Sequence, residues 1–505
     1  MLDNRIISNK HNNPDNDRSK EDLKKRSLDI YEDDTFFDLV GYGKLIYHPE
    51  KLVGIKNETN PFPITATVSL GNFCNHGCLW CSTAYFREDD AFAIDGKKNN
   101  GHDFLRQVEK KGASVAIVKR KSNKIKIPQI KVSSTHTALI KLAKYYRSLF
   151  KGKIIGITGS VGKTSTKDSL HYILSKSKKA YCSRKSFNND FGLPLEILNM
   201  PKETEVGIFE LGMNHKNEIK KLSKIVKPEI AIILNVHHVH SKNFHSLKEI
   251  ALAKSEIFTA VNCVATLIIN RQIDNFSAIN DLAKKKSIKD IITFGDKKDS
   301  DIFITKKKKN KSNLVIETSV IGMEKISYKI NQEQEILENN LLAILGTLYT
   351  LNINFGLIKK IKDLPLTEGR GEVKNISFKN KKLKITDHAY NASPVSMGAT
   401  IKLFSAINKK NKIFIIGDMN ELGKKSPTYH QQIFKLALNQ SFNYCLFIGS
   451  KFFKLKKLNK AKNVFFFYNV DQLVKKIDMF IKEDSSIFVK GSNSIKLNKV
   501  IEYLN

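Results

Sequence analysis

The stretch from Lys153 to Ser175 constrains the fold more than any other. An apolar run, Lys153–Thr158, ends in Gly159-Ser160-Val161-Gly162-Lys163-Thr164-Ser165, and a helical pattern begins at Lys163. Glycines let the backbone turn tightly, so its N–H groups can face phosphate oxygens, and the helix start adds the positive end of its dipole. Lys163 can reach the β- and γ-phosphates, and Thr164 can place its hydroxyl on Mg²⁺. The longer glycine-rich pattern is not met, because Ile157 stands where its first glycine belongs. A strand, a phosphate loop and a helix in this order predict an ATP-binding parallel sheet.

The flanking pattern supplies such a sheet. Val206–Leu211, Glu229–Asn235 and Val264–Asn270 read as buried strands, and Ser246–Ala260 as a helix between two of them. This is the alternation of a doubly wound α/β fold. Residues 302–330 alternate as antiparallel strands around a lysine-rich turn, and Leu337–Leu351 returns to helix. From about Leu366 a second Rossmann-like series follows. Its strands are expected at Leu383–Thr386, Ile413–Ile416, Tyr444–Ile448, Val464–Phe467 and Ile487–Val489, with helices at Pro394–Ile407, Pro427–Leu438, Asp471–Ile481 and Ile495–Tyr503.

A chain of 505 residues exceeds one ordinary core. The expected divisions are a disordered polar tail at 1–34, a distinct block at 35–88, a partial domain at 89–148, a central ATP-binding domain at 149–365 and a C-terminal domain at 366–505. Lys and Arg outnumber Asp and Glu by 85 to 50, giving a formal charge of +35. The lysines are spread along the chain, as at Lys284–Lys286 and Lys306–Lys309, without interleaved aromatics. That reads as solvated surface and not as a nucleic-acid site. No apolar run reaches the roughly 18 residues that span a bilayer. The start has no apolar signal region, and the six cysteines do not form a disulfide framework. A cytoplasmic monomer is the expectation.

Further segments sharpen the reading. They include Gly101-His102-Asp103-Phe104; Asn188-Asn189; Glu210-Leu211-Gly212-Met213-Asn214-His215; and Ala253-Lys254-Ser255-Glu256-Ile257. Then come Gly369-Arg370-Gly371; Asp387-His388-Ala389-Tyr390-Asn391-Ala392-Ser393-Pro394; Gly417-Asp418-Met419-Asn420-Glu421-Leu422-Gly423; and Lys490-Gly491-Ser492. With the phosphate loop, and in this order, they resemble the Mur ligases of the D-alanyl-D-alanine-adding type over residues from about 89 to 505.

The resemblance implies a three-domain fold: a UDP-sugar domain with its beginning missing, a central ATPase-like parallel sheet and a C-terminal Rossmann-like domain. It implies a peptidoglycan-precursor ligase. ATP would phosphorylate the terminal carboxylate of UDP-MurNAc-tripeptide, the amine of D-Ala-D-Ala would attack the acyl phosphate, and phosphate would leave. Glu210 would bind Mg²⁺ beside Thr164. Lys254, carbamylated by CO₂ in the family, would become an anionic oxygen ligand, and one of the neighbouring His237, His238 and His240, with His240 fitting best, would join the metal site. Asn270 and Asp274 would lie near the adenine, Arg370 on phosphate and Asp387 on the ribose. Asn391 and Ser393 would line the acceptor pocket, and Asn188 and Asn189 would approach the UDP-sugar or peptide. His430 also matches a family histidine. The chain departs from the family at Ile336, where a histidine is usual four residues before Asn340, and at Ser255, where glycine is common.

The head reads differently. Cys74-Asn75-His76-Gly77-Cys78-Leu79-Trp80-Cys81 resembles the cluster loop of radical SAM enzymes. Cys74, Cys78 and Cys81 would there hold a [4Fe–4S] cluster with one iron open to SAM. Too few residues follow before the ligase segments to build a radical SAM barrel. The head therefore reads as a fragment fused to the ligase. Two competing readings remain: a radical SAM or Fe–S protein acting through this motif, and an ATP-binding fusion with impaired catalysis.

Overall fold

The computed structural model describes residues 90–92 and 100–505, apart from 114, 185, 238–242, 311–312, 367–368 and 408–410. The expectations for the tail, the cysteine block and the missing opening of the UDP-sugar domain concern residues outside this set, as does His240. The described residues form two compact units: those up to 151 with 190–204, and those of 152–189 with 205–505.

In the first unit, strands β1 (Asp90–Phe92), β2 (Val115–Val118) and β3 (Gln129–Lys131) form a parallel sheet in that order. The helix Thr135–Leu149 starts at Ser134, whose hydroxyl accepts from the Thr137 amide at 3.2 Å. It packs with the helix Gly192–Asn199, and the Tyr146 hydroxyl donates to the Met200 carbonyl at 2.6 Å. Residues 190–204 make their contacts with the first unit, because the apolar faces of these two helices need each other.

The second unit holds two sheets. Nine strands lie in the order β12-β11-β10-β9-β8-β7-β4-β6-β5. Their ranges are β4 Lys153–Thr158, β5 Ala180–Cys182, β6 Val206–Glu210, β7 Ile230–Ile233, β8 Thr266–Asn270, β9 Asp290–Gly295, β10 Ile302–Lys309, β11 Asn313–Val320 and β12 Ile326–Asn331. From β5 to β10 all pairs are parallel, and β10, β11 and β12 continue as an antiparallel meander. Strands β4, β6, β7 and β8 are buried on both faces. Ile155, Ile157, Ile208 and Ile232 meet the helices Lys163–Leu174 and Glu338–Thr350 in one core.

Six more strands form the order β13-β14-β18-β15-β16-β17. These are β13 Glu372–Phe378, β14 Lys381–His388, β15 Asn411–Gly417, β16 Tyr444–Ile448, β17 Val464–Phe467 and β18 Ser485–Lys490. Only β13 with β14 is antiparallel. The period-two alternation of strand side chains splits the core in two. Ile413, Ile415, Ile487 and Val489 enter one cluster, while Phe414, Ile416 and Phe488 enter the other. The expected helix Asp471–Ile481 is interrupted. The α-helix covers Val470–Val474, and Ile477–Phe480 is a 3₁₀ turn.

Candidate active site

β4 lies between β6 and β7, so the chain departs to opposite sides from it. In parallel sheets ligands bind outside the carboxyl ends of strands at such a switch point. Thr158, Glu210 and the residues after Ile233 all stand at that edge.

The phosphate loop is built by its neighbours. The Ser160 amide donates to the Asn235 carbonyl at 3.1 Å, and the Val161 amide to Asn235 Oδ1 at 2.9 Å. Asn235 returns a bond to the Val161 carbonyl at 2.9 Å, and the His237 amide donates to Ser160 Oγ at 2.9 Å. Ser160 and Val161 thus spend their amides on the loop after β7. The phosphate-facing donors are left to the first turn of the helix Lys163–Leu174, whose amides have no intrahelical acceptor. Gly162 precedes that turn at φ +88° and offers no side-chain cap. A Cβ there would meet Asn340 Oδ1 at 2.9 Å. The helix end therefore stays open to an anion. Lys163 is half-buried and its ammonium donates to the Gly159 carbonyl at 2.8 Å. Burial, and then Arg370, lower its pKa, while Glu210 opposes them. Ser165 is half-buried in the first helical turn.

Glu210 is fully buried. The Thr164 hydroxyl donates to its Oε2 at 2.6 Å, and the Asn188 amide to its Oε1 at 2.7 Å. No Lys, Arg or His side chain forms an ion pair with it among the described residues. A buried carboxylate needs a counter-charge. An oxygen pair from Thr164 and Glu210 suits a hard cation such as Mg²⁺. Lys254 is 2% exposed. Burial, and then the charge of Lys163, hold its pKa well below the usual lysine value. A neutral amine is the form that can react with CO₂.

Arg370 reaches this cluster from the second sheet. Its Nη2 donates to Ser186 Oγ at 2.9 Å, and that hydroxyl lies 3.3 Å from Thr164 Oγ1. Its guanidinium sits 4.0 Å from the centroid of the Tyr390 ring. Gly369, at φ +72°, lets the loop approach Tyr390, whose Cβ would lie 2.9 Å from an added Cβ. Asp387 organises the same loop, because its Oδ2 accepts from the Gly369 amide at 3.0 Å and its Oδ1 from the Ala389 amide at 2.8 Å. Burial raises its pKa, partly offset by those two bonds. Lys490, 5% exposed, donates to the Asn391 carbonyl at 3.0 Å. Burial, and then Arg370, push it down to about 7.

The other expected residues are placed as follows. Asn270 ends β8 and accepts from the Gln272 amide at 2.8 Å, and Asp274 is exposed. Asn188 is turned onto Glu210, and its carbonyl accepts from the Gly212 amide at 3.0 Å. Asn189 is half-buried in the same segment. Asn391 Oδ1 accepts from the Ala392 amide at 2.7 Å, and Ser393 caps the helix Pro394–Ala406. His430 is buried in the second sheet's core region, where its Nε2 accepts from the Met419 amide at 3.0 Å. Sequence reasoning missed Ser186 and the ion pair of buried Lys167 with half-buried Asp168, 3.1 Å apart on the helix Lys163–Leu174.

Comparison with known proteins agrees with this arrangement. The family described as Mur ligase middle domain matches residues 157–347, and that described as Mur ligase, glutamate ligase domain matches residues 369–493. The UDP-N-acetylmuramoyl-tripeptide–D-alanyl-D-alanine ligase of Rickettsia prowazekii is 33% identical over 456 residues, covering 87% of this chain and 98% of that protein. The protein of the same name from Escherichia coli is 26% identical, covering 82% and 90%. A crystal structure of MurF from Acinetobacter baumannii superposes with a TM-score of 0.71 at 27% identity, covering 82% of this chain and 90% of that one. None of these matches supports the radical SAM reading of Cys74, Cys78 and Cys81. On the match to the Rickettsia ligase, with both domain families in order, this chain belongs to the Mur ligase family.

Proposed function

We propose that this chain is an ATP-dependent amide ligase that joins D-alanyl-D-alanine to UDP-MurNAc-tripeptide in peptidoglycan precursor synthesis. One observation carries the reading: Lys163, the Thr164–Glu210 pair and Arg370 converge at the carboxyl edge of β4 and β6. This is a cluster for managing phosphate charge, in a chain that matches a curated ligase of that name over 98% of the ligase's length.

In the first step a carboxylate oxygen of the tripeptide attacks the γ-phosphorus, and the bond to ADP breaks. In the second the dipeptide amine attacks the acyl carbon. The C–O bond to phosphate breaks, the amine loses a proton, and inorganic phosphate departs. The first-turn amides of the helix Lys163–Leu174 hold the phosphate chain, and Lys163 offsets its negative charge. Arg370, steadied by Ser186 and the Tyr390 ring, faces the transferring phosphoryl group. Mg²⁺ would be held by Thr164 and Glu210, with carbamylated Lys254 and His240 as the further ligands the family implies, and would neutralise phosphate charge. Asn270 and Asp387 are assigned to the nucleoside, Asn188 and Asn189 to the UDP-linked substrate, and Asn391 and Ser393 to the acceptor.

The test is phosphate release with ATP, Mg²⁺, UDP-MurNAc-tripeptide and D-Ala-D-Ala, with each omitted in turn. Release that requires both peptide substrates is expected. Release indifferent to the dipeptide would remove the ligase assignment.

A further inference from the structure

Lys490 ends β18, the strand between β14 and β15, and stands in register with His388 on one side and Ile416 on the other. It is almost fully buried, and its side-chain nitrogen donates to a backbone carbonyl. The charge of Asp387 acts on it, but no ion pair joins it to a carboxylate among the described residues. Burying an amine this way is unfavourable, and a hydrophobic side chain would extend the sheet's own pattern.

The carbonyl that Lys490 grips belongs to Asn391, in the loop after β14. One residue earlier, the Tyr390 amide donates to the Gly369 carbonyl at 3.1 Å, and the Tyr390 ring carries the Arg370 guanidinium at 4.0 Å. Arg370 in turn reaches Ser186, which touches Thr164. A continuous chain of contacts therefore runs from Lys490 through Asn391, Tyr390, Arg370 and Ser186 to the phosphate loop. Each link is a hydrogen bond, a covalent neighbour or a ring contact.

We propose that Lys490 is a positioning residue for the ligation: by holding the Asn391 carbonyl it fixes the Tyr390 ring and so aims Arg370 at the transferring phosphoryl group. The inference rests on the ligase reading. Its role is separate from nucleotide binding, since Lys490 makes no contact with the phosphate loop itself.

The experiment is a double-mutant cycle of Lys490→Met and Tyr390→Leu in the full chain, with acceptor-dependent phosphate release and thermal unfolding both measured. Lys490→Met keeps the length and removes the donor. It is expected to lower kcat on the order of 10²-fold, as a misaimed group does, while the KM for ATP stays within about twofold. In the Tyr390→Leu background the same change should add little, because the path is already cut. Lys490→Arg, which restores a donor, is measured alongside. It should recover part of the kcat, and it keeps the test decisive if the methionine variant folds poorly. An unchanged kcat in Lys490→Met, or fully additive losses in the cycle, would overturn the inference. A wild-type chain without acceptor-dependent release would overturn the ligase reading and the inference together, whereas an active wild type separates the two.

Discussion

Lys163, Lys254 and Lys490 share a lowered pKa and a common first cause, burial, but differ in what else surrounds them. Lys163 donates to the Gly159 carbonyl, and the charge of Glu210 opposes the lowering. Lys163→Ala is expected to lower acceptor-dependent phosphate release on the order of 10²–10³-fold, as loss of one preorganised donor does. Retained activity would remove the phosphate-loop assignment. Lys254 has no hydrogen-bond acceptor among the described residues and is held well below the usual lysine value. Incubation with ¹³C-bicarbonate should give a carbamate resonance that disappears in Lys254→Ala, and its absence in the wild type would remove Lys254 from the metal-ligand set. Lys490 is pushed down to about 7 from 10.5. Between those values the unfolded chain binds the extra proton, so this residue makes stability rise with pH. Its cost is complete below about 7. Thermal unfolding across that window should show a flatter pH dependence in Lys490→Met than in the wild type.

At the scale of the element, the phosphate loop works because a strand end, a glycine and an uncapped helix start coincide. Gly162→Ala would place a side chain in the left-handed region, which costs about 1–2 kcal/mol, and would press on the Asn340 amide at 2.9 Å. Weaker ATP binding by calorimetry is expected, and unchanged affinity would mean that the loop can move without loss. The helix Pro394–Ala406 poses a different question. Ser393 accepts from the Ser396 amide at 3.3 Å and closes a capping box. Ser393→Ala should lower stability by about 1 kcal/mol, measured by urea unfolding. A higher KM for D-Ala-D-Ala would place Ser393 in the acceptor pocket as well, and an unchanged KM would leave it a cap alone. Strands that read clearly in sequence were the doubly buried ones, such as β4 and β7, whose apolar runs are unbroken. The three-residue β5 and the half-exposed edge strand β13 carry no such run. Pairing with a neighbour, and not their own pattern, makes them strands.

For the molecule as a whole, nucleotide binding and folding are linked. A ligand at 100 times its Kd stabilises the state it binds by about 2.7 kcal/mol. ATP with Mg²⁺ should therefore raise the unfolding temperature of the wild type, and the Lys163→Ala variant should lose most of that shift. An equal shift in both would place the nucleotide elsewhere. The division into two compact units bears on such measurements, because residues 190–204 pack in the first unit although the chain on both sides belongs to the second. A cut within 152–189 or at 205 would separate segments that pack together, so the intact chain is the proper object of each test. Among the described residues no helix is long and apolar enough to cross a membrane.

Local sequence was sufficient for the alternating α/β order, the phosphate loop at Gly159–Thr164 and the order of the ligase segments, because each depends on neighbours a few residues apart. The tertiary structure alone decided the rest. It turned Asn188 onto Glu210, spent the amides of Ser160 and Val161 on Asn235, and joined Arg370 to Ser186 across 184 positions. It also buried Lys490 beneath the Asn391 carbonyl. These are long-range pairings fixed by which strands lie side by side, and no periodicity within either segment encodes its partner.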